Sequence, residues 1–399
     1  MMSRRGMMFP GVLFILAGLL MACEATGPVD GEGVGDNRNW AGEYLRIRLI
    51  PEQRPMLGEY SSGSQSVIQQ HINWAELAAI DFLAIPWRGG GTYGDMVLTQ
   101  DILGSAAWAD ATLGWCVLYE LPTILEGDPE APAVNLTLAA RDTLLSHLEY
   151  FNERFFSSAG YLFVDGRPVV ILRRSRLIAS TDARQDLLAL RQDYRAATGE
   201  ELFLVGDEAT MLSRDLPNSS RISAFDMITG IDLAVVGVHN GYPQNTGFFE
   251  DVNTVWNRYA LDAGSLDPPV PLMPTVMPGF NDRASTALTH PIIAREATAG
   301  MTQEGTTYQQ MWTLANNHAG VPAMALLNSF NGWREDTQIE PVADNGDANG
   351  ATLPGQYTDG VRYFPYEMAF IEETATQKGN LTLGAIYEVW YDDRPPDLR

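Results

Sequence analysis

Pro322-Ala323-Met324-Ala325-Leu326-Leu327 leads directly into Asn328-Ser329-Phe330-Asn331-Gly332-Trp333-Arg334-Glu335-Asp336-Thr337-Gln338-Ile339-Glu340-Pro341. The first six residues are apolar without interruption, the pattern of a strand buried on both faces. The segment after them is not a bland turn of Gly, Ser and Pro. It carries two amides, an indole, a guanidinium, a glutamine and three carboxylates. Such a loop suits a sugar: the apolar face of a pyranose stacks on an indole, while amides, acids and guanidinium pair with its hydroxyls.

Working outward, buried runs alternate with helical stretches. Strands are expected at Tyr44–Ile50, Asp81–Pro86, Trp115–Tyr119, Val169–Leu172, Leu202–Gly206, Leu233–Val238, Val270–Val276 and Pro322–Leu327. Helices are expected at about 65–79, 97–113, 136–155, 182–197 and 303–318. Asp165-Gly166 reads as a tight turn from 161–164 into the fourth strand. Eight strands alternating with helices over about 300 residues predict one α/β domain, a (β/α)8 TIM barrel over 41–399. A doubly wound sheet is the competing architecture, but no GxGxxG or P-loop opens any strand.

In a barrel the chemistry gathers beyond the C-terminal strand ends. The residues there are Trp87, Tyr119 with Glu120, Asp207 with Glu208, His239 with Asn240, Phe280 with Asn281, and the Trp333 loop. Their common placement is a carbohydrate-site inventory. Glu120, Glu335 and Asp336 are carboxylates among them. Trp87, Tyr119, His239, Asn240, Phe280, Asn281, Asn331, Trp333, Gln338 and Glu340 are the candidate substrate contacts.

The formal charge of −24 argues against nucleic acid and against a polybasic membrane patch. At the N-terminus, Arg4 and Arg5 precede an apolar run from Phe9 to Met21 that is too short for a stable span. The run ends in Leu20-Met21-Ala22-Cys23, a lipobox-like pattern. A lipoprotein signal over 1–22, lipidation of Cys23 and a flexible tether over 23–40 are expected, placing the protein on a bacterial cell envelope, with the outer membrane favoured, or outside the cell. Lipidation would leave Cys116 without a disulfide partner, and its apolar setting reads as an inert buried thiol. The five histidines show no HExxH or paired spacing, so no metal or cofactor is expected. A monomer acting on an oligo- or polysaccharide is the simplest expectation.

Several segments, in order, resemble glycoside hydrolase family 99, the endo-α-mannosidase family, and its bacterial relatives. They are Leu57–Ser62, Gln70-His71-Ile72-Asn73-Trp74, Ile80-Asp81-Phe82 with Trp87, Leu118-Tyr119-Glu120, Gly166–Val170, Pro274–Asn281 and the Trp333 to Pro341 loop. The last is similar to the family's Asn-Glu-Trp-x-Glu-Gly-Thr-x-Ile-Glu motif. The resemblance implies a retaining, endo-acting hydrolase that needs no metal. In that family the Glu before the Trp is base toward the substrate 2-hydroxyl, forming a 1,2-anhydro sugar, and the Glu two residues after the Trp is acid and then base. Carried over, the acid/base is Glu335, while the base position is Gly332, which has nothing to accept a proton. His71 matches a family position, and Tyr44 stands for a sugar-contacting Tyr, although Leu45-Arg46-Ile47-Arg48 lacks the family's aromatic run. The departure at Gly332 leaves three readings: a hydrolase in which Asp336, Glu340 or Glu120 takes the lost role, a glycan-capture lipoprotein, or a scaffold without a sugar site.

Overall fold

The structure is a computed structural model that describes residues 55–58, 60–127, 133–209, 217–233, 247–280, 293, 295, 305–341 and 369–390. Ten strands are described: β1 Phe82–Trp87, β2 Gly114–Glu120, β3 Phe163–Val164, β4 Arg167–Arg173, β5 Phe203–Asp207, β6 Met227–Thr229, β7 Leu272–Met273, β8 Thr275–Val276, β9 Met324–Leu327 and β10 Thr382–Ile386. All but β3 pair in parallel, in the order β7-β6-β5-β4-β2-β1-β10-β9-β8. β7 pairs with β6 and β8 with β9, and only Pro274 separates them. The two pieces therefore occupy one ring position, and the nine parallel strands close an eight-position barrel. Pro274 has no N–H to give to a ladder; it sits where the strand changes partner, and its carbonyl accepts from Leu326 N at 2.9 Å.

Six longer helices lie between the strands: α1 Gln65–Leu77, α2 Leu138–Arg154, α3 Ala183–Thr198, α4 Phe248–Gly264, α5 Thr306–His318 and α6 Ala369–Gln377. Local chemistry sets their ends. Thr137 Oγ1 accepts from Ala140 N to start α2, and Asp182 Oδ1 accepts from Gln185 N to start α3. Gly199, at φ 81°, closes α3 in the left-handed conformation. The β3–β4 hairpin turns on Asp165 and Gly166, both with positive φ, as the Asp-Gly pair predicts.

The (β/α)8 expectation holds, with three differences in detail. Tyr44–Ile50 lies outside the described residues, and the ring position beside β1 is taken by the C-terminal β10, whose Gly384 pairs with Phe82. A Cβ at 384 would collide with the Phe82 ring, so the closing seam requires glycine there. The sixth strand is Met227–Thr229, the first of two apolar runs, and Leu233 sits in a turn after it. The helix expected over 97–113 is broken: a π-helical turn at Val97–Ile102 ends near Gly104, and Ser105 caps a new turn at Ala106–Asp110.

Candidate active site

The C-terminal ends of the parallel strands gather charge. β1 delivers Arg88, β2 Glu120, β4 Arg173, Arg174 and Arg176, β6 Asp232, β9 the Trp333 loop with Glu335, and β10 Glu388. Arg173 is the hub. It donates from Nη1 to Glu120 Oε1 at 2.7 Å and from Nη2 to Asp232 Oδ1 at 3.4 Å, and its charge also acts on Glu335 and Glu388. Arg88 Nη2 lies 3.9 Å from Glu120 and 3.7 Å from Glu388. Arg174 and Arg176 add contacts of 3.1 and 3.3 Å to Asp232.

The acids are pushed apart. Burial raises the Glu335 carboxyl above the usual carboxylate range; Arg173 opposes this, while Glu388 and Asp232 add to it. Burial alone would also raise Glu120, but Arg173 and Arg88 outweigh it and hold Glu120 below the usual range. Asp232 is held down in the same way by Arg173, Arg174 and Arg176. One rim thus holds a half-buried acid biased toward its protonated form beside carboxylates biased toward ionisation, the pattern that separates an acid from its charged partner.

The loop that carries Glu335 is fastened from below. Glu340 is buried and accepts from Tyr60 Oη at 2.7 Å and Trp333 Nε1 at 2.6 Å, with His71 Nε2 at 3.2 Å. His71 Nδ1 lies 2.9 Å from Tyr387 Oη. Asn331 accepts from Glu388 N at 2.7 Å and donates to Glu388 O at 2.9 Å, so it fixes the backbone of the last rim acid. Arg295 pairs with Asp336 Oδ1 at 2.9 Å and donates to the carbonyl of Gln338 at 3.1 Å.

These contacts revise most of the expected substrate contacts. Trp333 is 2% exposed, which leaves no face for a sugar. Trp87, also 2% exposed, packs on Tyr119, His147, Tyr150 and Phe151 and donates from Nε1 to Asp95; Tyr119 Oη meets His147. Both β-strand aromatics fill the layer between barrel and α2. Glu340, His71 and Asn331 are held in the network under the loop, and Asp336 is held by Arg295. Gln338 is buried beside them: its Nε2 donates to Asp336 Oδ1 at 3.3 Å, while its Oε1 meets no donor among the described residues. Phe280, four residues past the end of β8, is half-buried and bridges to Ile293. Tyr44, His239, Asn240, Asn281 and the lipidation candidate Cys23 lie outside the described residues. Glu335 and Glu120 both lie within the reach of Arg173.

Among the described residues, no carboxylate fills the space beside Gly332. A Cβ there would collide with Ser329 Oγ and stand 2.5 Å from Thr337 Oγ1. Ser329 Oγ accepts from Gly332 N at 2.6 Å and lies 2.9 Å from Thr337 Oγ1. The vacancy has been closed by two hydroxyls.

Sequence reasoning missed Arg173, Arg174, Arg176, Asp232 and Glu388. The signals were present: Arg-Arg-Ser-Arg directly follows an apolar run, and Glu388 follows Leu381–Tyr387.

No family model and no curated protein matches the chain. Among solved structures, the GH99 endo-α-mannosidase from Bacteroides thetaiotaomicron superposes with a TM-score of 0.57 at 18% identity, covering 82% of each chain. The chain shares the GH99 fold. The same enzyme in complex with bis-tris-propane gives the same TM-score and identity, with 87% of that chain covered. A glycoside hydrolase-like protein matches with a TM-score of 0.57 at 17% identity over 82% of this chain and 90% of its own.

Proposed function

We propose that this protein hydrolyses glycosidic bonds, with Glu335 as general acid and then base. The observation that carries the reading is the Arg173 rim. On a barrel shared with GH99 endo-α-mannosidases, it sets a raised acid, Glu335, beside ionised partners at the strand ends where barrel enzymes keep their chemistry. Glycoside hydrolysis uses two carboxylates flanking the bond. Glu388 is our candidate for the second. It comes from the neighbouring strand end, its charge acts on Glu335, and Asn331 fixes its backbone. Glu120, tied to Arg173, is placed to bind substrate hydroxyls. Lipidation at Cys23 would hold the barrel at the cell envelope, where an oligo- or polysaccharide substrate arrives from outside.

One observation favours a second reading, glycan capture without cleavage: the site at Gly332 is packed shut. Reducing-end assays beside calorimetry on one oligosaccharide panel separate the two. Turnover supports the hydrolase, binding without turnover supports capture, and neither leaves the barrel a scaffold. Labelling with a radioactive fatty acid, lost in Cys23→Ala, tests the anchor.

A further inference from the structure

Asp207, the last residue of β5, is fully buried beneath the rim. Both of its oxygens face backbone amides of neighbouring strand ends. Oδ2 accepts from Arg174 N beyond β4, and Oδ1 accepts from Ile231 N beyond β6, each at 2.8 Å. The first bond holds Arg174 at φ 57°, in the left-handed region that a non-glycine residue adopts only when its surroundings impose it. That bend turns Arg173, Arg174 and Arg176, all from one short segment, onto the single carboxylate of Asp232. The second bond fixes the residue next to Asp232. Ile231 is held at its carbonyl as well, which accepts from Asn328 Nδ2 at 3.1 Å, and Asn328 opens the loop that carries Glu335. Asp207 therefore stands where the ends of β4, β6 and β9 meet. Its own turn is tightly strapped: Glu208 N and Ala209 N both donate to Thr229 O, and a Cβ at Gly230 would collide with Ala209 O.

We infer that Asp207 is a positioning residue of this site: it fixes the turns that carry Arg173 and Asp232, and with them the charge set against Glu335. The inference rests on the reading of Glu335 as the acid and deepens it. Among the described residues, the charged groups that face Asp207 are Asp232 and Arg176, with Arg174 bonded through its amide. Glu208, beside it in the chain, is turned to Arg221 and Ser175. The groups acting on Glu335 are Arg173, Glu388, Asp232 and Arg334. Only an ionised carboxylate offers both oxygens purely as acceptors; a proton makes one of them a donor, which then faces an N–H. Burial, and then the charge of Asp232, push the Asp207 carboxyl up to about 6 against the pull of Arg176 and the two amides. The hold on the two turns therefore loosens as pH falls through that value. Asp207→Asn makes the neutral state permanent. Arg173, whose charge opposes the rise of Glu335 most strongly, then loses its fixed place, and Glu335 keeps its proton to higher pH.

The test uses the full chain with isotope-labelled carboxyls. NMR follows the Glu335 titration without any substrate, its resonance assigned by its loss in Glu335→Gln. In Asp207→Asn the midpoint is expected to rise by roughly half a pH unit or more. On an oligosaccharide that the wild type cleaves, kcat is expected to fall about tenfold or more at neutral pH, with KM within about threefold. Asp226→Asn is the control. Asp226 is a half-buried carboxylate that also accepts from a backbone amide, Leu204 N at 2.9 Å, and from Arg167 and Arg191, but at the opposite end of β5 and β6. Its loss is expected to lower stability and to leave the Glu335 midpoint and kcat unchanged. A midpoint that stays put in Asp207→Asn, or moves equally in Asp226→Asn, overturns the inference. The expected shift in a protein that cleaves no oligosaccharide upholds the positioning role and overturns the hydrolase reading instead. Where Asp207→Asn does not fold, the wild type decides: the amide resonances of Arg174 and Ile231 and the Glu335 carboxyl are expected to share one step at a pH of about 6, and independent titrations overturn the inference.

Discussion

Replacing Gly332 with alanine tests whether the missing carboxylate position is closed rather than empty. The added Cβ collides with Ser329 Oγ and lies 2.5 Å from Thr337 Oγ1, where relaxed carbon–oxygen contacts are longer. Forcing a methyl group into a packed site costs about 1–3 kcal/mol. To yield, Ser329 must give up its bond from Gly332 N and its contact with Thr337, at about 1 kcal/mol each. The sum is about 3–5 kcal/mol, roughly a 5 °C drop in Tm for a chain of this length. Chemical denaturation and calorimetric melting measure it. Ser329→Gly removes the obstructing side chain, so the double variant Gly332→Ala/Ser329→Gly is expected to be more stable than the sum of the single effects by over about 1 kcal/mol. Gly332→Glu is expected to destabilise further and to bring no gain in turnover, although it restores the residue type of the resembled motif. Gly332 O also accepts from Glu335 N at 3.2 Å, so distortion here reaches the proposed acid. A Gly332→Ala protein that melts with the wild type, or strictly additive effects in the cycle, would refute the reasoning.

Arg173→Met strips Glu120 of its 2.7 Å partner and Asp232 of one of three; removing one member of such a buried pair costs about 3–5 kcal/mol, read as a lower denaturation midpoint. Asn331→Ala cuts both bonds to the Glu388 backbone and is expected to lower kcat at least about tenfold while stability falls by only about 1–3 kcal/mol, seen by comparing kinetics with melting. For pH, Glu120 has a depressed folded pKa, so its contribution to stability is full above the ordinary Glu value and is lost as pH falls through the folded one; Glu120→Gln should flatten the acid limb of a stability–pH curve. Glu335 has the opposite sign: its raised pKa keeps the acid form present above the ordinary Glu value, and kcat should decline as pH rises through it, a limb that Glu335→Gln removes.

The barrel was legible because a fully buried parallel strand leaves a continuous apolar run, and most runs appeared where expected. Legibility failed where strands are two or three residues long. Met227–Thr229 is too short to outcompete the neighbouring run at 233–238 by pattern alone, and Pro274 hides a change of partner inside one run. β10 escaped the pattern because Thr382 and Gly384 interrupt the apolar stretch Leu381–Tyr387. At the site, the two acids Glu335 and Glu120 could be read from strand-end position. The aromatics could not be assigned in this way. An indole beyond a strand end reads equally as a sugar platform or as core, and only burial separated them; Trp87 and Trp333 both proved to be core. Likewise an amide or a carboxylate in a rich loop can face substrate or tie the loop down. Asn331, Asp336 and Glu340 tie it down, through partners such as Tyr60, Glu388 and Arg295 that lie far away in sequence.

The most direct test of the account is the turnover of Glu335→Gln on an oligosaccharide that the wild type cleaves and both proteins bind. The account predicts binding within a few-fold of wild type and a kcat lower by about 10²–10⁴, the usual worth of a positioned acid–base group. A variant that keeps its turnover to within about tenfold would contradict it.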